Sequence, residues 1–91
     1  MAHVSHRPTT IYTSPGCPDC RMLKQWLTRE GVAFAERDIS DPDIMAEAKA
    51  RTGVRVAPIS IVEGAVFYGP FHSQQSRLRR SACLQPPERE S

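Results

Sequence analysis

The chain has 91 residues, 40% hydrophobic and 24% charged, which suits one folded domain and excludes a disordered chain. Twelve basic side chains against ten acidic ones leave a net charge of +2, too even to demand nucleic acid or a membrane surface as partner. Three cysteines are too few for a disulfide-stapled secreted scaffold, and in a reducing cytosol a close pair is catalytic or metal-binding more often than structural.

Residues 1–8 are expected to be a flexible N-terminus. His3, His6 and Arg7 lie there without the apolar stretch of a secretory signal, which points to the cytoplasm. Thr9–Thr13 is β-branched and aromatic and reads as a strand, broken by Ser14-Pro15-Gly16. A helix follows from Cys17 or Pro18 to Glu30. Pro18 suits the first helical position, Asp19 suits the positive helix start, and Gly31 is a stop. Leu23, Trp26 and Leu27 recur at helical spacing and should face a core.

Val32 to Ile39 reads as a second strand anchored by Val32, Phe34 and Ile39. Ser40-Asp41-Pro42 opens a second helix, a cap residue followed by proline, which runs to Thr52 and ends at Gly53. Ile44, Met45 and Ala48 form its apolar side. The most apolar run, Val54 to Val62, is interrupted by Arg55 and Ser60 and falls far short of the ~20 residues of a membrane helix. Within it, Pro58–Val62 reads as a third strand. Glu63-Gly64 turns the chain tightly into Ala65–Tyr68, a fourth strand, so the two form an antiparallel hairpin.

A last helix is expected from His72 or Ser73 to Cys83, with a thin apolar side of Leu78, Ala82 and Leu84. Arg77, Arg79 and Arg80 read as its solvated face, with docking of an acidic partner as the alternative; no interleaved aromatics suggest base stacking. Gln85–Ser91 is Pro-rich and charged and reads as a flexible tail. The order is β-α-β-α-β-β-α in one domain over residues 9–84. Helices between the early strands imply parallel neighbours, and the terminal hairpin adds an antiparallel strand. The expected architecture is α/β, a four-stranded mixed sheet with helices on both faces.

The sharpest local feature is Cys17-Pro18-Asp19-Cys20, where a strand turns into a helix. The spacing puts both side chains on one helical face, about one turn apart. Cys17 falls at the first turn, where free backbone N–H groups and the helix dipole stabilise a thiolate, the reactive form. It is the expected nucleophile. Cys20, one turn deeper, suits the resolving role. Asp19 opposes a thiolate at Cys17, and Arg21 is the candidate to offset it. Two other readings stand beside this one: incidental structural cysteines, or half of a zinc or iron–sulfur site completed from His72, Cys83, His3 and His6. Redox exchange is favoured because the pair opens a helix directly after a strand in a βαβ pattern.

Ile11-Tyr12-Thr13-Ser14-Pro15-Gly16-Cys17-Pro18-Asp19-Cys20-Arg21 resembles the active-site strand and loop of glutaredoxins, whose usual motif is Cys-Pro-Tyr-Cys. Here Asp19 replaces the tyrosine. Val56-Ala57-Pro58 matches the family's Thr-Val-Pro, whose proline forms a cis peptide facing the active site. Of the Gly-Gly-x-x-Asp-like segment that helps to hold glutathione, Tyr68-Gly69-Pro70-Phe71-His72-Ser73 shares only Gly69. That stretch is more similar to the Trp-Ser-Gly-Phe-Arg-Pro region of the glutaredoxin-like hydrogen donors of ribonucleotide reductase. The resemblance spans Thr9 to Leu84.

This resemblance implies a thioredoxin-like fold and a small dithiol oxidoreductase of cell redox homeostasis. It implies no bound organic cofactor, with electrons drawn from glutathione, another low-molecular-weight thiol or thioredoxin reductase. The implied partners are proteins with disulfides, ribonucleotide reductase among them, with no nucleic acid and no membrane, and the chain as a monomer. Cys17 and Cys20 are the expected catalytic pair. Pro18, Asp19, Tyr12, Ala57, Pro58 and Gly69 are the expected substrate contacts, with simple packing the competing role for Tyr12. Trp26 is read as structural and Cys83 as a small, partly buried side chain, with a regulatory thiol as its alternative. His72 is read as a solvated helix start, with substrate contact as the alternative, and Arg55, ahead of the Val56-Ala57-Pro58 loop, is a candidate to meet a substrate carboxylate. A redox-fold interaction protein that works through the Arg77–Arg80 face without turnover is the third class.

Overall fold

Thr9–Thr13 forms strand β1, and every one of its five residues is buried, as a central strand requires. The computed structural model describes residues 9–80, and β1 is followed by α1 (Pro18–Arg29), β2 (Phe34–Asp38), α2 (Pro42–Thr52), β3 (Ile59–Val62), β4 (Ala65–Tyr68) and α3 (Phe71–Arg80). The order β-α-β-α-β-β-α is the one expected. The proposed flexible ends and the expected continuation of the last helix through Ala82, Cys83 and Leu84 lie outside the described residues.

The four strands form one mixed sheet in the order β2-β1-β3-β4. β1 and β2 are parallel, as the intervening α1 requires. The connection through α2 differs from a simple parallel crossover, because β3 runs antiparallel to β1, with Tyr12 opposite Ile59 and Thr10 opposite Ile61. β4 then returns antiparallel to β3 through Glu63 and Gly64, both at positive φ (52° and 84°), the twist that suits a two-residue hairpin. The reversed β3 has a direct consequence. Its N-terminal end, and hence Pro58, lies at the C-terminal end of β1, where the Ser14–Cys17 loop leaves the sheet.

Alternation along β1 sends neighbouring side chains to opposite faces. Ile11 joins Leu23, Trp26 and Leu27 of α1 and Phe71 and Leu78 of α3 in one core. Trp26 and Phe71 meet edge to face, with ring centroids 6.3 Å apart at 72°. Tyr12 joins Ile39, Ala48, Ile59 and Ile61 in a second core on the α2 side. The sheet is therefore covered on both faces. α2 is bounded as its sequence predicts: Asp41 accepts from the Asp43 N–H at 2.8 Å, and Gly53 closes the helix at φ 75°.

Candidate active site

Cys17 is the N-cap of α1, in an extended conformation, and Pro18 occupies the first turn. Its Sγ accepts a hydrogen bond from the Cys20 N–H at 3.1 Å. The two cysteines are joined as a disulfide, with Cα atoms 5.2 Å apart. Cys17 is half-buried, whereas Cys20 is only 2% exposed. The N-cap position thus separates the pair into an accessible sulfur at the positive helix end and a sheltered one a turn deeper.

An open cleft of about 450 Å³ lies beside the pair. It is walled by the Ser14–Cys17 loop, Thr13, Cys20, Arg21 and Lys24, and across from them by Glu36 and Asp38 of β2. Glu36 accepts from Lys24 Nζ and from the Thr13 hydroxyl, each at 2.8 Å, and these two bonds hold its carboxyl below the usual carboxylate range. The Ser40 N–H does the same for Asp38. The lower wall therefore stays anionic under mild acid.

On the other side of the dithiol loop, the Ala57–Pro58 peptide is cis, as the resemblance implied. Pro58 is buried and Ala57 half-buried, and Arg55 and Val56 ahead of them are exposed. Gly69 lies just beyond Tyr68, which pairs with Ile59. Its φ of 113° is strained for any side chain, and a Cβ there would meet the Arg77 guanidinium at 3.5 Å. The dithiol, Pro58 and Gly69 thus come from three separate segments to one end of the sheet.

Asp19 links the dithiol segment to the start of α3. Its Oδ1 accepts from the Phe71 N–H at 3.1 Å. This bond explains why α3 begins at Phe71, one residue before the expected start: the carboxylate satisfies a first-turn N–H that has no partner inside the helix.

Tyr12 does not belong with the cleft, which corrects its expected place among the substrate contacts. Strand alternation turns it to the α2 side, where it is 0% exposed. Its hydroxyl donates to Glu47 at 2.6 Å and accepts from Arg51 at 2.9 Å. Of the arginine cluster, Arg77 folds back to donate to the carbonyls of Tyr68 and Ser73 and to the Ser73 hydroxyl, and Arg79 lies over the Trp26 ring. His72 packs its ring against Phe71, centroids 5.0 Å apart.

Two side chains that sequence reasoning passed over are wholly buried here: Gln74 and Ser60. Gln74 bonds to Ser60, Pro58 and Gly69. A signal for it existed, since Gln74 is three residues after Phe71 and four before Leu78, on the core face of α3. Among the described residues, no three or more His, Cys, Asp or Glu side chains are grouped to hold a metal ion. His3, His6 and Cys83, three of the four partners of the zinc alternative, lie outside the described residues. No helix among the described residues is long and apolar enough to cross a membrane.

A sequence model of glutaredoxin matches residues 9–67. The glutaredoxin-like protein NrdH of Lactococcus lactis is 30% identical over 69 residues, which cover 76% of this chain and 96% of that protein. Among solved structures, the thioredoxin-like protein BC3987 superposes with a TM-score of 0.72 at 26% identity, covering 85% of this chain and 99% of that one. The glutaredoxin of Brucella melitensis superposes with a TM-score of 0.65 at 28% identity, covering 88% and 87%.

Proposed function

The chain belongs to the glutaredoxin family of thiol–disulfide oxidoreductases, and from that premise we propose that Cys17 is the attacking thiolate and Cys20 the resolving thiol. In the reduced protein, the Cys17 thiolate attacks one sulfur of a substrate disulfide. The Cys17–substrate bond forms, the substrate S–S bond breaks, and the departing thiolate takes up a proton. Cys20 then loses its proton and attacks Cys17 Sγ. The mixed disulfide breaks, the second substrate thiol leaves with a proton, and the Cys17–Cys20 disulfide holds the two electrons' worth of oxidation.

The observation that carries this reading is the N-cap position of Cys17, whose Sγ already accepts the Cys20 N–H at 3.1 Å. That donor and the helix end both favour the anionic sulfur. Pro18, on the exposed rim, and the backbone of Ala57, Pro58 and Gly69 are the proposed substrate contacts. Asp19 acts indirectly, through α3. Likeness to the Lactococcus protein, and the Tyr68–Ser73 stretch resembling the hydrogen donors of ribonucleotide reductase, favour thioredoxin reductase over glutathione as electron source. Proteins with accessible disulfides, ribonucleotide reductase among them, are the proposed substrates, within cytoplasmic redox homeostasis.

The test compares electron sources. Reduction of insulin is followed with NADPH and thioredoxin reductase, then with glutathione and its reductase. Turnover with the first and little with the second is expected. Turnover only with glutathione would overturn the assigned electron source, and no reduction with either, or with dithiothreitol, would overturn the functional reading.

A further inference from the structure

Gln74 is 0% exposed, yet it is neutral, polar and placed on the core face of α3. All of its polar atoms are engaged. Nε2 donates to the Pro58 carbonyl at 2.8 Å and to the Gly69 carbonyl at 3.0 Å. Oε1 accepts from the Ser60 hydroxyl at 2.6 Å.

The strand register explains why an amide is needed there. β3 and β4 pair from Val62 opposite Ala65 out to Ile59 opposite Tyr68. Continued one step further, the same register would set Pro58 opposite Gly69. Proline has no N–H, so it cannot donate to the Gly69 carbonyl across the ladder. A buried carbonyl without a donor is costly. Gln74 answers from the neighbouring helix, giving one N–H to each of the two carbonyls where the ladder fails. Ser60 fixes the direction of that amide by donating to its oxygen, so the two Nε2 protons point at Pro58 and Gly69 rather than the reverse.

We propose that Gln74 is a positioning residue for the substrate-binding edge, gripping the Pro58 and Gly69 carbonyls so that the Ala57–Pro58 backbone is held in one orientation for an extended, peptide-borne disulfide. The inference rests on the reading of Ala57 and Pro58 as substrate contacts. It also narrows the substrate class. Backbone pairing at this edge rewards a polypeptide on either side of the disulfide, and a small symmetric disulfide gains little from it. Gln74 itself touches no substrate; it acts through the two carbonyls.

The experiment measures kcat and KM of the full chain with two substrates, a disulfide-bonded peptide and hydroxyethyl disulfide, for wild type, Gln74→Met and Ser60→Ala. Methionine keeps the length and apolar bulk of glutamine and removes its hydrogen bonds. Gln74→Met should raise KM for the peptide about tenfold, the size of roughly one net hydrogen bond. Its kcat should move less than about twofold, and its KM for hydroxyethyl disulfide should rise far less than that for the peptide. Ser60→Ala, which only frees the amide to turn, should give the same split at smaller size. Equal losses on both substrates, or an unaltered KM for the peptide, would overturn the proposal. If Gln74→Met does not fold, Ser60→Ala decides alone by the same split. Wild-type protein that reduces neither substrate sinks the functional reading and this inference with it. A working wild type beside an unaltered Gln74→Met sinks the inference alone.

Discussion

The carboxylate of Asp19 accepts the N–H of Phe71 at 3.1 Å, tying the middle of the dithiol segment to the first residue of α3 across 52 residues of chain. A carboxylate at a helix start meets both an unpaired N–H and the positive end of the dipole. Asp19→Ala should therefore speed hydrogen exchange at the Phe71 amide and lower stability by about 1 kcal/mol. Asp19→Asn keeps an acceptor and should lose less. An unmoved Phe71 exchange rate in Asp19→Ala would show that this bond does not hold the start of α3.

The unequal burial of the two sulfurs gives the second prediction. Cys20→Ser protein should stop at a mixed disulfide on the half-buried Cys17 when mixed with a peptide disulfide, and the adduct should be seen by intact mass. Cys17→Ser should form almost no adduct, because Cys20 is 2% exposed. Equal adducts on both variants would contradict the assignment of attacking and resolving roles.

Most of the scaffold was legible because its signals are local. β1, the α1 and α2 caps and the Glu63-Gly64 turn each declare themselves within a few residues. The Cys17–Cys20 pair was legible for the same reason. What escaped depends on pairing across the chain. The direction of β3 is set by where α2 delivers the chain, and no residue within α2 encodes that. The partners of Asp19 and Gln74 are 52 and 16 residues away, so no window of sequence could link them. Tyr12 was misplaced by adjacency: it is five residues from Cys17, but the two-residue period of a strand turns it to the other face.

Tyr12 carries the third prediction. Its buried hydroxyl joins Glu47 and Arg51 under the α2 face, while Glu47 also holds Arg37 through two bonds of 2.7 and 2.8 Å. Tyr12→Phe removes a donor and an acceptor without changing the packed ring. Stability should fall by about 1–2 kcal/mol, at the lower end for a bond to a charged group, because Glu47 and Arg51 keep contact with water. Urea denaturation reads this directly. Disulfide reduction at saturating substrate should survive at close to the wild-type rate, since the cleft is walled by Thr13 and not Tyr12. A large loss of turnover with unchanged stability would return Tyr12 to the site.

The same network sets the pH range of the fold. Hydrogen bonds from Arg37 and Tyr12 hold the Glu47 carboxyl below its usual range, and Lys24 and Thr13 do so for Glu36. A folded pKa below the unfolded one contributes stability that is fully present above the unfolded value, near pH 4, and is lost as pH falls through the folded one. Tyr12 works in the opposite sense: burial first, then its bond to Glu47, raises the phenol. Its contribution is fully present below the unfolded value of about 10 and is lost as pH rises through the folded one. Thermal melts across pH should therefore give a plateau with an acid limb and an alkaline limb. Glu47→Gln should flatten the acid limb, and Tyr12→Phe should flatten the alkaline one. High salt should weaken the acid limb as well, because Lys24–Glu36 and Arg37–Glu47 are partly exposed pairs. An acid limb unmoved by Glu47→Gln would show that other carboxylates govern acid unfolding.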